Sequence, residues 1–177
     1  LGQIQQAVLE HLCGNIPFRI GVPCIVEPLP LENPAYALNE SRGQYDARLI
    51  LEAMDREVGR NALRVLGVTH VDLYVPILKF VFGLSEMGGR CAVISLHRLR
   101  PQYYENPPDD GLLIVRAEKT AVHELGHTFG LTHCRDKRCI MYSSTRISHT
   151  DEKDVTFCPT CEELLKWNMG SAGIQSP

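Results

Sequence analysis

Residues 123–133 read His-Glu-Leu-Gly-His-Thr-Phe-Gly-Leu-Thr-His, and this run constrains the fold more tightly than any other stretch. Residues four apart on a helix stand on the same face. His123 and His127 can therefore reach one ion from consecutive turns. Zinc accepts imidazole nitrogen at about 2.0–2.1 Å in tetrahedral geometry. Gly130 lets the backbone turn out of the helix, and the chain then returns His133 to the same point. Three protein ligands leave a fourth position for water, the arrangement of a hydrolytic centre rather than a closed structural one. Glu124 flanks the ion without ligating it. Zinc lowers the pKa of bound water to about 7. A carboxylate beside that water can take its proton and pass it to a leaving amine. The pattern predicts peptide-bond hydrolysis with Glu124 as general base and acid. His11, His70, His97 and His149 carry no such spacing and read as surface or satisfied core residues.

The chain has seven cysteines, an odd number that leaves one over in any disulfide framework. Cys134, Cys139, Cys158 and Cys161 crowd into the last quarter, spaced C-x4-C and C-x2-C. Four thiolates fill a tetrahedral sphere, so this second zinc site would be structural and closed. It also answers a folding problem. Residues 131–158 are polar and lack apolar periodicity, so they cannot bury enough surface to order themselves. A structural zinc can supply on the order of 10 kcal/mol. The competing reading is two disulfides, Cys134–Cys158 among the possible pairs, or free thiols. Cys134 directly follows His133, so loss of the cysteine site is expected to loosen the histidine site. Cys13, Cys24 and Cys91 read as buried apolar residues.

Eighteen basic against twenty-one acidic residues give a net charge of −3, which does not suggest nucleic acid or an anionic membrane as partner. No run of eighteen apolar residues is present to span a bilayer. The chain begins at Leu1 without a signal-peptide pattern, and clustered thiols suit metal binding in a reducing compartment. Both point to the cytoplasm. The sequence does not specify an oligomeric state.

Along the chain, Leu1, Ile4, Val8 and Leu12 predict a short helix stopped by Gly14-Asn15, and Phe18, Ile20 and Val22 alternate as a strand. Pro28, Pro30 and Pro34 mark a loop. Leu49, Ile50, Ala53, Met54 and Val58 predict a second helix ending at Gly59. Strands are expected over Val68–Val75, Lys79–Leu84 and Cys91–Leu99, with a turn at Gly88-Gly89 and a loop over Arg100–Gly111. A long helix from Leu112 to Phe129 follows, with Val115, Val122 and Leu125 on its apolar face. A last helix runs from Pro159 to Trp167, with proline in its first turn.

The run HELGHTFGLTHC, then Cys139-Ile140-Met141 and Cys158-Pro159-Thr160-Cys161, resembles the archaemetzincins. Arg42-Gly43-Gln44-Tyr45, Asp72-Leu73-Tyr74 and Val81-Phe82-Gly83 are also similar to that family. The resemblance implies an α/β (α+β) metzincin-like fold: a twisted mixed sheet, a long active-site helix and a small zinc-stabilised C-terminal subdomain. The whole chain, 1–177, would be a single metallopeptidase domain, with an upper subdomain over 1–130 and a lower one over 131–177. Met141 becomes the Met-turn, an apolar support beneath the histidines. Where some metzincins carry a tyrosine ligand two residues after that Met, this chain has Ser143, so Tyr142 is not assigned as a ligand. The resemblance also implies that peptide or protein substrate binds as an added strand, with Cys91–Leu99 the candidate edge. Two other functions stay open at this point: an aminopeptidase, and a zinc-stabilised peptide-binding or scaffold domain with weak or blocked catalysis.

Overall fold

The structure is a computed structural model describing residues 6–27, 34–59 and 62–173. Leu1, Ile4, Pro28 and Pro30 lie outside those ranges. The first helix, α1, covers Gln6–Ile20 and buries Val8, Leu12, Ile16 and Ile20. This four-residue repeat carries the helix through Gly14, Asn15 and Pro17, correcting the expected stop and the strand after it. Phe18, read as part of an alternating strand, lies on this helix and is 86% exposed. The real terminator is Gly21, with φ of 84° and its N–H on the Pro17 carbonyl at 2.9 Å.

Two short strands, β1 (Leu38–Asn39) and β2 (Gln44–Asp46), precede helix α2 (Ala47–Glu57). Asp46 caps α2 by accepting the Arg48 N–H at 3.0 Å, and Ile50, Ala53 and Met54 form its buried stripe as expected. The predicted strand Val68–Val75 is two strands in different sheets, β3 (Val65–Thr69) and β4 (Leu73–Tyr74). Between them Asp72 accepts from Arg98 at 2.6 and 2.8 Å and from Gln44 at 2.9 Å, which fixes the crossing. Lys79–Leu84 also shortens, to β5 at Gly83–Ser85. Its upstream carbonyls are taken by side chains instead: Arg42 reaches Leu78 O and Lys79 O, and Gln44 reaches Lys79 O.

Strand β6 covers Cys91–Ser95, and residues 97–99 and 101–104 form 3-10 turns. The sheets run β1-β2-β4 and β3-β6-β5, each with one parallel and one antiparallel pairing. The mixed α+β class therefore holds. The expected edge strand does not: β6 is central and buried along its whole length. Its two-faced burial hides the alternation that suggested an edge. The edges of that sheet are β3 and β5.

Helix α3, Asp110–Thr128, starts where Asp109 accepts the Leu112 N–H at 2.9 Å. It is buried continuously from Arg116 to Thr128, so it is a central helix rather than a one-sided one. Val122 and Leu125 are buried as expected, but Val115 is exposed. Glu118 holds α1 to α3 by pairing with His11 at 2.7 Å and Arg19 at 2.9 Å. A short helix α4 (Ile147–Glu152), which polar sequence concealed, and α5 (Pro159–Ser171) complete the chain. Leu131, Ile140, Met141, Leu165 and Met169 join α1 and α3 in one core. Cys91 is buried, while Cys13 and Cys24 are only half-buried. Among the described residues no helix is long and apolar enough to cross a membrane.

Candidate active site and metal centres

The end of α3 builds the histidine cluster. Gly130 adopts φ of 83°, a conformation that costs glycine little. The Leu131 N–H returns to Gly126 O at 3.0 Å and the Gly130 N–H to His127 O at 2.9 Å, the paired closure that glycine permits at a helix end. The same turn aims the Leu131 carbonyl at His127, whose Nδ1 meets it at 2.6 Å. His123 Nδ1 meets the Ile140 carbonyl at 2.8 Å. A carbonyl only accepts, so each ring carries its proton on Nδ1 and a lone pair on Nε2. Those two Nε2 atoms stand 3.2 Å apart. His133 completes the trio, its ring centroid 5.3 Å from His123 and 4.8 Å from His127, with ligand atoms of all three within 4.8 Å of one another.

This arrangement fits a zinc ion. Two lone pairs facing each other without a proton between them repel, and a cation relieves that. Tetrahedral bonds of about 2.0–2.1 Å imply nitrogens about 3.3–3.4 Å apart, close to the observed gap. Burial holds all three imidazoles below their ordinary pKa, and the charge of Lys153 adds to the effect. They are therefore neutral near pH 7, as a zinc ligand requires.

Glu124 lies on α3 beside His123, 8% exposed. Its Oε2 accepts the Ser85 hydroxyl at 2.6 Å. Burial pushes its pKa up to about 7, against the lowering pull of the Ser85 hydrogen bond and Lys153. Gly83, at the start of β5, leaves the room this side chain occupies: a Cβ there would stand 2.7 Å from Glu124 Cγ. Met141 is fully buried beneath the same helix, and a Cβ on Gly126 would stand 2.5 Å from its Sδ.

The four cysteines gather as the spacing predicts, with all sulfurs within 4.8 Å. Cys134 and Cys158 sulfurs are 3.8 Å apart. That is far beyond a disulfide bond of about 2.05 Å. It matches the edge of a tetrahedron with zinc–sulfur bonds of about 2.3 Å, which is about 3.8 Å. The Asp136 and Cys158 N–H groups point at Cys134 and Cys139 sulfurs, at 3.4 and 3.3 Å, as thiolates favour.

Three neighbours of the site were not legible in sequence. Ser85 and Gly83 meet Glu124 only through the tertiary packing of β5 on α3. Lys153 is 2% exposed beside His123, yet in sequence it sits in a charged run that reads as solvated surface.

A sequence profile of peptidase family M54 matches residues 20–167. The chain belongs to peptidase family M54. Membership makes it a zinc-dependent metallopeptidase acting on peptide or protein. The archaemetzincin of Pyrococcus furiosus is 43% identical to it over 99% of this chain and 94% of that one. That of Methanocaldococcus jannaschii is 41% identical over 94% and 89%. The crystal structure of archaemetzincin from Methanopyrus kandleri superposes with a TM-score of 0.86 at 37% identity, covering 96% of this chain and 91% of that one. The Archaeoglobus fulgidus archaemetzincin complexed with malonate gives a TM-score of 0.75 at 34% identity, over 92% and 94%. The M54 assignment thus agrees with the resemblance that the metal-ligand spacing carries.

Proposed function

We propose that His123, His127 and His133 hold the hydrolytic zinc of this peptidase, that Glu124 moves the protons, and that Cys134, Cys139, Cys158 and Cys161 hold a second, structural zinc. The observation that carries the first assignment is the pair of Nε2 lone pairs held face to face at 3.2 Å by carbonyl-anchored rings. Bound there, zinc supplies Lewis acidity toward a carbonyl and toward water.

The chain's own groups do the rest. Glu124, at about 7, is matched to accepting a proton from attacking water and delivering it to the departing amine near neutral pH. The Ser85 hydroxyl fixes which carboxylate oxygen is occupied and leaves Oε1 for that traffic. Met141 and Gly130 support the centre, one by filling the space under Gly126 and the other by turning the chain toward His133. Peptide substrate adds as a strand along the free edge of β5, next to Glu124, with backbone hydrogen bonds giving affinity. The chain works as one catalytic domain, with Gly130 the junction between the part before it and the zinc-ordered part after it.

Metal analysis of the purified chain tests this reading together with a diverse peptide library whose cleavage sites are mapped by mass spectrometry. The expected result is about two zincs per chain, one removed more easily than the other, and internal cleavage. A chain loaded at both centres that cuts no library member would replace this reading with a binding module.

A further inference from the structure

Lys153 follows α4 directly and is 2% exposed. Its Nζ donates to Ile140 O at 2.9 Å and to Tyr142 O at 3.2 Å, and stands 3.5 Å from His123 Nδ1. A carbonyl oxygen offers two lone pairs. On Ile140 the His123 Nδ1–H takes one, at 2.8 Å, and the ammonium takes the other. Both neighbours are donors, so the 3.5 Å gap between them is not a hydrogen bond. They share one acceptor.

Among the described residues no carboxylate forms an ion pair with Lys153. At hydrogen-bond distance its charge meets backbone carbonyls, and the Glu124 carboxylate acts on it only through space. Burying an ammonium this way is expensive, and an apolar side chain would fill the space more cheaply. The element that delivers it is itself tied to the active-site helix. Arg116 of α3 pairs with Asp151 of α4 through two contacts of 2.7 Å. Lys119 of α3 donates to Thr150 O at 3.1 Å and Asp151 O at 2.9 Å, near the end of α4. The connection therefore runs from α3 to α4, through Lys153 to the Ile140 carbonyl, and back to His123 on α3.

We propose that Lys153 is a positioning residue for the histidine centre: its ammonium fixes the Ile140 carbonyl on which His123 seats its Nδ1 proton, and so aims His123 Nε2 at the metal. The inference rests on the assignment of the histidine trio as a metal site. Groups that orient a metal ligand typically govern metal affinity by about 10–100-fold.

The test uses the full chain, with cobalt(II) as the probe and Lys153→Met and Lys153→Gln as variants. Cobalt on four thiolates gives intense charge-transfer bands. Cobalt on imidazoles gives weaker ligand-field bands, so the two centres read separately in one sample. Retained thiolate bands report an intact fold around the cysteines. The expected result for Lys153→Met is unchanged thiolate bands, about 10–100-fold weaker cobalt binding at the histidines, and altered ligand-field bands. Lys153→Gln keeps a donor for the carbonyl and should lose less. Wild-type binding and spectra at the histidines of Lys153→Met would overturn the proposal. So would loss of both centres together in both variants, which would assign Lys153 to folding alone. Wild-type protein showing thiolate bands only would remove the histidine assignment itself, and this inference with it.

Discussion

His133 and Cys134 are consecutive, yet the two centres they belong to are built in opposite ways. The histidine cluster draws two of its proposed ligands from a helix buried on all sides, and backbone carbonyls set the orientation of their rings. There the fold holds the site. The cysteine cluster lies on a polar segment that is anchored by Leu131, Ile140 and Met141 in the core and by main-chain bonds such as Ile140 N–H to Thr156 O at 2.9 Å and Asp154 N–H to Arg138 O at 2.8 Å. There the proposed zinc would add a clamp to a segment that the core holds only in part. On the proposed assignments, an open catalytic position and a closed clamp would meet across one peptide bond.

The sharpest way to break this comparison is to remove the clamp. Cys139→Ser should cost a large part of the roughly 10 kcal/mol that a structural zinc can contribute, seen as a collapse of the thermal transition. The effect should reach the other centre too, because Cys139 precedes Ile140, whose carbonyl seats His123, and Cys134 is pinned to Met141 O at 2.9 Å. Unchanged zinc occupancy at the histidines in this variant would show that the centres are independent.

The opposite intervention spares the fold. Glu124→Gln keeps the shape and the Ser85 contact but removes the proton carrier. Both metals should stay bound while kcat falls by about 10²–10⁴, the range for general acid–base groups, with the melting temperature held or raised. Residual turnover within tenfold of wild type would take Glu124 out of the proton pathway.

What was legible in the sequence follows the same division. The two clusters proposed as ligands were legible because metal chemistry implies a spacing, and the structure does bring those side chains together: i, i+4 on a helix, a glycine at the turn, paired cysteines. Helices with a regular apolar stripe, such as α2, were legible for the analogous reason. Helix α1 was misread because Gly14-Asn15 looks like a stop, and only burial against α3 shows that the Val8, Leu12, Ile16, Ile20 repeat prevails. Strand edges were not legible, since what makes β6 central and β5 an edge is which strands lie beside them. Ser85 and Lys153 escaped for that reason as well. Their roles exist only where distant segments meet.

Support from beneath the histidine centre can be measured separately. Gly126→Ala would set a Cβ 2.5 Å from Met141 Sδ and 3.1 Å from its methyl. Methionine is flexible, but this one is fully buried, so overpacking should cost roughly 1–3 kcal/mol. Zinc at the histidines should be lost more readily to a chelator, while the cysteine zinc is unaffected. Equal loosening of both zincs would mean that Met141 acts on the whole segment after Gly130 and not on the helix above it.

The smallest effect concerns acid, and it separates the protein-held part from the metal-held part. Burial pushes the Asp72 carboxyl up, but the hydrogen bonds from Arg98 and Gln44 outweigh it and hold the group below its ordinary value. The folded chain therefore binds this proton less readily than the unfolded chain. The stabilisation is complete above the unfolded value, about 4, and fades as pH falls through the lower folded value. Asp72→Asn keeps one acceptor for Arg98 and should cost about 1 kcal/mol at pH 7, with a shallower loss of stability below about pH 4. Zinc-loaded protein in excess zinc is the right material, with variant and wild type compared at each pH, because acid also protonates thiolates and releases metal from both alike. Because metal release is common to both chains, any acid sensitivity removed by this substitution belongs to the crossing between the two sheets. An identical acid slope in variant and wild type would show that the Asp72–Arg98 pair carries no proton linkage.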